Sequence, residues 1–164
     1  MLGFEFPVLE MEIDLSNNLI VLLGTRGSLT DPPHIDLHLR TLSDNTPHPS
    51  ARNPILFSVS PTLAYHHLDA LQVMGPFLGV VCFDVIRALE IWDWMNGQKM
   101  MRFEDSSFYS YKFLSATSFL ISSRGSAEVY EIPVESPGTP PSTPHRSACQ
   151  ISDSTRSVIF GSTR

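Results

Sequence analysis

Apolar residues in the first 132 positions come in runs of four to eight, rich in Val, Ile, Leu, Phe, Trp and Tyr. Polar residues or Gly and Pro separate the runs. No long stretch holds a 3.6-residue period, so the pattern predicts short strands and an all-β body. The predicted strands are 8–13, 18–24, 34–42, 54–59, 70–75, 77–84, 88–95, 99–104, 111–117, 118–123 and 126–132. The stretch "LAYHHLDALQV" (63–73) reads alternatively as a short helical turn. From 133 the composition changes: five prolines fall in the twelve residues "PVESPGTPPSTP", and a Ser/Thr-rich end follows. Such a segment buries too little apolar surface to offset its ordering entropy. Residues 133–164 are therefore expected to be a disordered or extended tail, with "SVIF" (157–160) as a candidate edge strand.

One run is apolar on both faces. In "LEIWDWMNGQ" (89–98), Leu89 and Ile91 point to one side of a strand, and Trp92 and Trp94 to the other. A strand of that kind must be covered from both sides. Each buried indole removes about 150–250 Å² from water, which is a few kcal/mol at ~25 cal/mol/Å². The two tryptophans are thus expected in the core rather than as a sugar-stacking platform. Asp93 is expected to cap the strand end by accepting backbone N–H bonds. Asn96 and Gly97, which both tolerate positive φ, are expected to turn the chain into "QKMMRFE". Asp44 and Asn45 would do the same after "LHLRTL".

These segments form a weak repeat. Aligning "LHLRTLSDN" (37–45), "LEIWDWMNG" (89–97) and "AEVYEI" (127–132) places Leu39, Ile91 and Val129 in register. Arg40, Trp92 and Tyr130 then coincide, as do Thr41, Asp93 and Glu131, and Leu42, Trp94 and Ile132. Two to four strands per unit of roughly 40–50 residues is the size of a propeller blade. The expected architecture is a partial β-propeller of about three blades over 1–132.

Composition narrows the function classes. The 164-residue chain is 42% hydrophobic and only 17% charged, with a net charge of -6 and two lysines, Lys99 and Lys112. No basic cluster offers a footprint for nucleic acid or an acidic membrane surface. The start, "MLGFEFPVLEMEID", lacks a basic n-region, and no apolar run is long enough to span a bilayer. A cytoplasmic or nuclear protein is expected. Of the two cysteines, Cys82 lies in an apolar run and Cys149 in the polar tail, a pair that suits a disulfide poorly.

No catalytic constellation is visible. His34 and His38 are four apart on a predicted strand, a span of roughly 12 Å or more. His66 and His67 are adjacent and would face opposite ways. No Cys-x-x-Cys, His-Glu-x-x-His, Gly-x-Ser-x-Gly, Gly-x-x-x-x-Gly-Lys or Gly-x-Gly-x-x-Gly occurs. No metal, cofactor or enzymatic activity is expected. In the tail, Ser136, Thr139 and Thr143 each precede a proline. Such dipeptides arise by chance in a Pro/Ser-rich segment, and they also suit proline-directed kinases.

With these motifs in view, "LEIWDWMNGQ" resembles the third strand and turn of a WD-repeat blade. The chain is similar to the propeller region of F-box proteins of mushroom-forming fungi. The similarity is carried by "DLSNNLIVLL" (14–23), "IDLHLRTLSDNTPHP" (35–49) with its His-Pro end, "VMGPFLGVVCFDVIRALEIWDWMNGQ", and "FLSATSFLISSRGSAEVYEI" (113–132). It covers residues 8–132, about three quarters of the chain. The resemblance implies a non-catalytic module that holds a target for a ubiquitin ligase of the Skp–cullin–F-box type. The F-box itself is not visible, so a Skp-type adaptor is expected only if that module exists upstream. A closed propeller has four or more blades. The alternative expectation is a truncated or degenerate fragment without independent activity. Open blade edges would then favour self-association.

Overall fold

Short antiparallel hairpins dominate because turn residues interrupt every apolar run. The structure is a computed structural model that describes residues 6–26, 34–59, 71–83, 87–132 and 146–147. Twelve strands are formed: β1 (Val8–Asp14), β2 (Leu19–Arg26), β3 (His34–Thr41), β4 (Ile55–Val59), β5 (Leu71–Met74), β6 (Phe77–Phe83), β7 (Arg87–Asp93), β8 (Gln98–Glu104), β9 (Phe108–Ser115), β10 (Ser118–Ser123), β11 (Ser126–Glu131) and β12 (Arg146–Ser147). No helix occurs among the described residues. Of the stretch 63–73, positions 71–73 belong to β5, and the rest lies outside the described residues.

The strands make three four-stranded antiparallel sheets in chain order: β1-β2-β3-β4, β5-β6-β7-β8 and β9-β10-β11-β12. The sheets do not close on themselves. Their first strands lie side by side, β1 against β5 and β5 against β9. The fourth strand of the last sheet comes from the tail. Arg146 and Ser147, inside the tail expected to be disordered or extended, pair with Tyr130 and Val129. The expected edge "SVIF" (157–160) lies outside the described residues. Two residues suffice because β11 already presents an unpaired row of backbone groups, and a short partner satisfies part of it.

Two apolar layers hold the sheets together. The first takes Leu19, Val21, Leu23, Ile35, Leu37, Leu39 and Leu56 from the first sheet, and Leu78, Val80, Cys82, Trp92 and Trp94 from the second. The second takes Phe77, Leu89, Ile91 and Met101 from the middle sheet. Against them lie Phe108, Tyr111, Phe113, Phe119, Ile121, Tyr130 and Ile132. The two-sided strand β7 therefore sits between both layers, with its tryptophans in one and its aliphatics in the other. Leu39, Ile91 and Val129 all fall on the third strand of a sheet.

In the first strand the acidic side chains, not the apolar ones, share the core-side face. Leu9, Met11 and Ile13 of β1 are exposed, while Glu10 and Glu12 share the face of Leu23 and Val21. The reason is a long-range contact: a Glu10 Oε1 accepts the backbone N–H of Leu71 at 3.1 Å, tying β1 to β5. The same two carboxylates lie near Tyr111. Its hydroxyl is pushed well above the ordinary phenol value, first by burial and then by these charges.

Candidate binding rim and cleft

Three turns on one side of the stack share a device. In each, a polar residue ends a strand and the residue four further on has positive φ: Asn18 (51°) after Asp14, Asn45 (58°) after Thr41, and Gly97 (69°) after Asp93. The backbone N–H groups of Asn45 and Gly97 return to the carbonyls of Thr41 and Asp93, at 3.0 and 2.8 Å. Asp93 accepts the Asn96 backbone N–H at 3.0 Å and the Asn96 amide at 2.7 Å. Asp14 accepts the same pair from Asn17, at 3.3 and 2.7 Å. Only the second residue of each turn pair takes positive φ: Gly97 and Asn45 do, Asn96 and Asp44 do not. Asn96 is instead held by its side chain on Asp93.

Hydrogen bonding favours the charged form of Asp14 and Asp44. Burial alone would raise the Asp14 carboxyl, but the bonds from Ser16 and Asn17 outweigh it and hold it below the ordinary value. Asp44 is lowered by the hydroxyls of Thr41 and Thr46 and by the Thr46 backbone N–H.

The turns are bound to one another in series. Asn18 accepts the backbone N–H of Leu42 through its carbonyl at 2.8 Å, and that of Ser43 through Oδ1 at 3.1 Å. His48 is buried between two turns. Its Nδ1 accepts the Ser50 N–H at 3.2 Å, which assigns the proton to Nε2, 2.9 Å from the Asn17 carbonyl. The imidazole meets the Trp94 indole edge-on, with centroids 5.0 Å apart. The Trp94 Nε1–H then donates to the Gly75 carbonyl at 2.8 Å. Arg52 N–H donates to Met95 at 2.9 Å, and the Asn53 amide lies against Gly97. The loops after "IDLHLRTL" and "LEIWDWM" thus join in one continuous rim.

Beneath this rim, between β4 and the middle sheet, a cleft of about 520 Å³ opens, lined by Asn53, Pro54, Ile55, Phe57, Trp92 and Gly97 among others. Beside it lies a fully buried carboxylate, Glu90, at 0% exposure. Its Oε1 is 2.7 Å from both Lys99 Nζ and Arg102 Nη1, and its Oε2 is 3.3 Å from Trp92 Nε1. Lys99 lies 4.8 Å over the Trp92 ring. Arg102 also grips Glu104 at 2.6 Å, and its guanidinium is raised further by that bond, partly offset by burial, and by Glu90. The cations neutralise Glu90, and their reach across β8 fixes the outer strand to β7. This arrangement braces β8 against β7.

The expected site residues divide accordingly. Trp92 and Trp94 are 7% and 0% exposed, so neither presents an open indole face to solvent. Asp93, Asn96 and Gly97 shape the rim. His38 is buried on β3 and stacks on Phe6 at 3.8 Å. Ser136, Thr139, Thr143, His66, His67 and Cys149 lie outside the described residues. Among the described residues, no three His, Cys, Asp or Glu side chains gather to hold a metal ion, and no helix is long and apolar enough to cross a membrane. His48 and Glu90 were not singled out from the sequence. The signal for Glu90 was a lone charge inside "ALEIW"; the signal for His48 was the His-Pro end of its segment. No protein-family model, no curated protein and no solved structure matches the chain.

Proposed function

We propose that the chain is a non-catalytic protein-interaction module, an incomplete β-propeller of about three blades that resembles the substrate-holding part of an F-box protein. The observation that carries this reading is the rim. Turns from two neighbouring sheets are hydrogen-bonded into one rigid edge, so that a loop surface is presented on a scaffold. The four-stranded meanders with adjacent first strands suit blades arranged around an axis. In this reading the rim and cleft hold a protein target, and a Skp-type adaptor engages only through an F-box module elsewhere.

The test is comparative capture by cross-linking in cell extract. Arg52→Glu alters the exposed rim loop, and Arg124→Glu alters an exposed turn on the opposite side. The expected result is a set of proteins retained by wild type and Arg124→Glu and lost by Arg52→Glu. Equal capture by all three removes the rim from the account. A broad thermal transition with aggregation favours instead a degenerate fragment without independent activity.

A further inference from the structure

Successive residues 53–57 line the cleft below the rim, together with Trp92 and Gly97. Neighbouring side chains on a strand point to opposite faces. A cavity that touches every residue in turn therefore runs along the edge of β4, not over one of its faces. β4 is the end strand of its sheet. The Leu39 N–H donates to the Pro54 carbonyl at 2.8 Å, and Leu37 and Leu56 pair in the same register. Hydrogen-bonded pairs alternate along an antiparallel ladder, so residues 54, 56 and 58 bond to β3. Ile55 and Val59 belong to the other set and turn their N–H and C=O groups away from β3. Among the described residues, no strand takes those groups up.

The facing wall is cationic. Lys99 pairs with Trp92 and Arg102 with Glu90 across β7 and β8, so both cations stand on the face of Trp92. Their side chains are 36% and 32% exposed, while Glu90 is sealed at 0%. Glu104, 52% exposed, faces solvent with them and occupies Arg102 Nε. An ammonium carries three donors and a guanidinium five. Lys99 uses one on Glu90, and Arg102 uses Nη1 on Glu90 and Nε on Glu104. The remaining donors suit a carboxylate brought in beside an apolar edge.

We infer that the cleft takes an extended segment of a partner protein as a fifth strand on β4, with an apolar side chain against Leu56 and Trp92 and an acidic one on Lys99 and Arg102. The inference rests on the reading of the chain as an interaction module and names what its cleft recognises. Backbone pairing at Ile55 is open to any sequence; the apolar wall and the two cations select an acid flanked by apolar residues.

Three labelled hexapeptides test it by fluorescence anisotropy against the full chain. The first alternates valine and threonine around one glutamate. The second has lysine in place of the glutamate. The third keeps the side chains of the first but is N-methylated throughout, which removes every strand donor. Ile55→Pro is the matching change in the protein: the N–H it removes points away from β3, so the ladder is kept, and circular dichroism checks the sheet signal. The acidic peptide is expected to bind wild type. The lysine peptide is expected to bind about tenfold or more weaker. N-methylation and Ile55→Pro are each expected to weaken binding about tenfold or more. No binding of the acidic peptide at millimolar concentration overturns the inference. So does equal binding of the lysine peptide, or of the methylated one, which would make the cleft a pocket for side chains or a small ligand. A concentration-dependent dimer in sedimentation that Ile55→Pro abolishes overturns it too, since a second copy would then be the added strand. The capture experiment separates the two readings. If Ile55→Pro loses the peptide but keeps the captured proteins, the inference falls and the rim stands. If wild type binds the peptide but captures nothing, the module reading falls and the cleft stands.

Discussion

Gly97 is the residue on which the rim turns. Its φ of 69° is a conformation that L side chains rarely adopt, and a Cβ there would press on the Asn53 amide. Gly97→Ala is expected to destabilise the fold by about 1–2 kcal/mol. Adding Asn53→Gly relieves the crowding but not the backbone strain, so denaturant titration of the double variant should recover only part of the loss. Asp14 offers a pH test of the sister turn. Its carboxyl is held below the ordinary value, so its contribution is full above about pH 4 and fades as pH falls through the lowered value. Asp14→Asn is expected to melt below wild type at neutral pH, with the two curves converging in acid. A gap that persists at low pH would show that the carboxylate charge is not the cause. The burial of Trp92 and Trp94 and the positive φ of Gly97 were legible in the sequence because alternation and turn chemistry are local. His48 was not, because its partners, Asn17 and Trp94, are brought to it only by the stacking of sheets.

Strands were the most legible elements. Each apolar run of the body became a strand, with ends displaced by three residues at most, as at β9, which begins at Phe108 instead of 111. The core-side acids of β1 and the two-residue β12 were not legible. The first depends on the Leu71 N–H reaching Glu10, the second on an open edge of β11, and neither partner is near in sequence. The contact between the second and third sheets has its own sharp dependence. The Tyr111 hydroxyl donates to the Gly79 carbonyl at 2.6 Å, and a Cβ on Gly79 would lie 2.6 Å from the Tyr111 hydroxyl oxygen. Gly79→Ala, with no strain in φ, is expected to cost about 1–3 kcal/mol by overpacking this seam. Calorimetry should show a lower midpoint; an unchanged one would mean the ring moves aside freely.

For the molecule as a whole, the middle sheet is the support: covered on both faces, it contributes to both apolar layers. The two tryptophans report on one of them. Tryptophan emission is expected to be blue-shifted and protected from iodide until the protein unfolds, since Trp92 and Trp94 are 7% and 0% exposed. Red-shifted, quenchable emission in the folded protein would revive the sugar-stacking role. The order of the sheets also has a consequence for synthesis. The first sheet ends at Val59, and the residue that seals its inner face, Trp94, follows 35 positions later (94 − 59). At about 5–20 residues per second, a ribosome takes roughly 2–7 s to supply it. During that interval Leu37, Leu39 and Leu56 stay uncovered on the nascent chain. The growing protein is thus a natural client for chaperones that bind apolar surface before the second sheet is made.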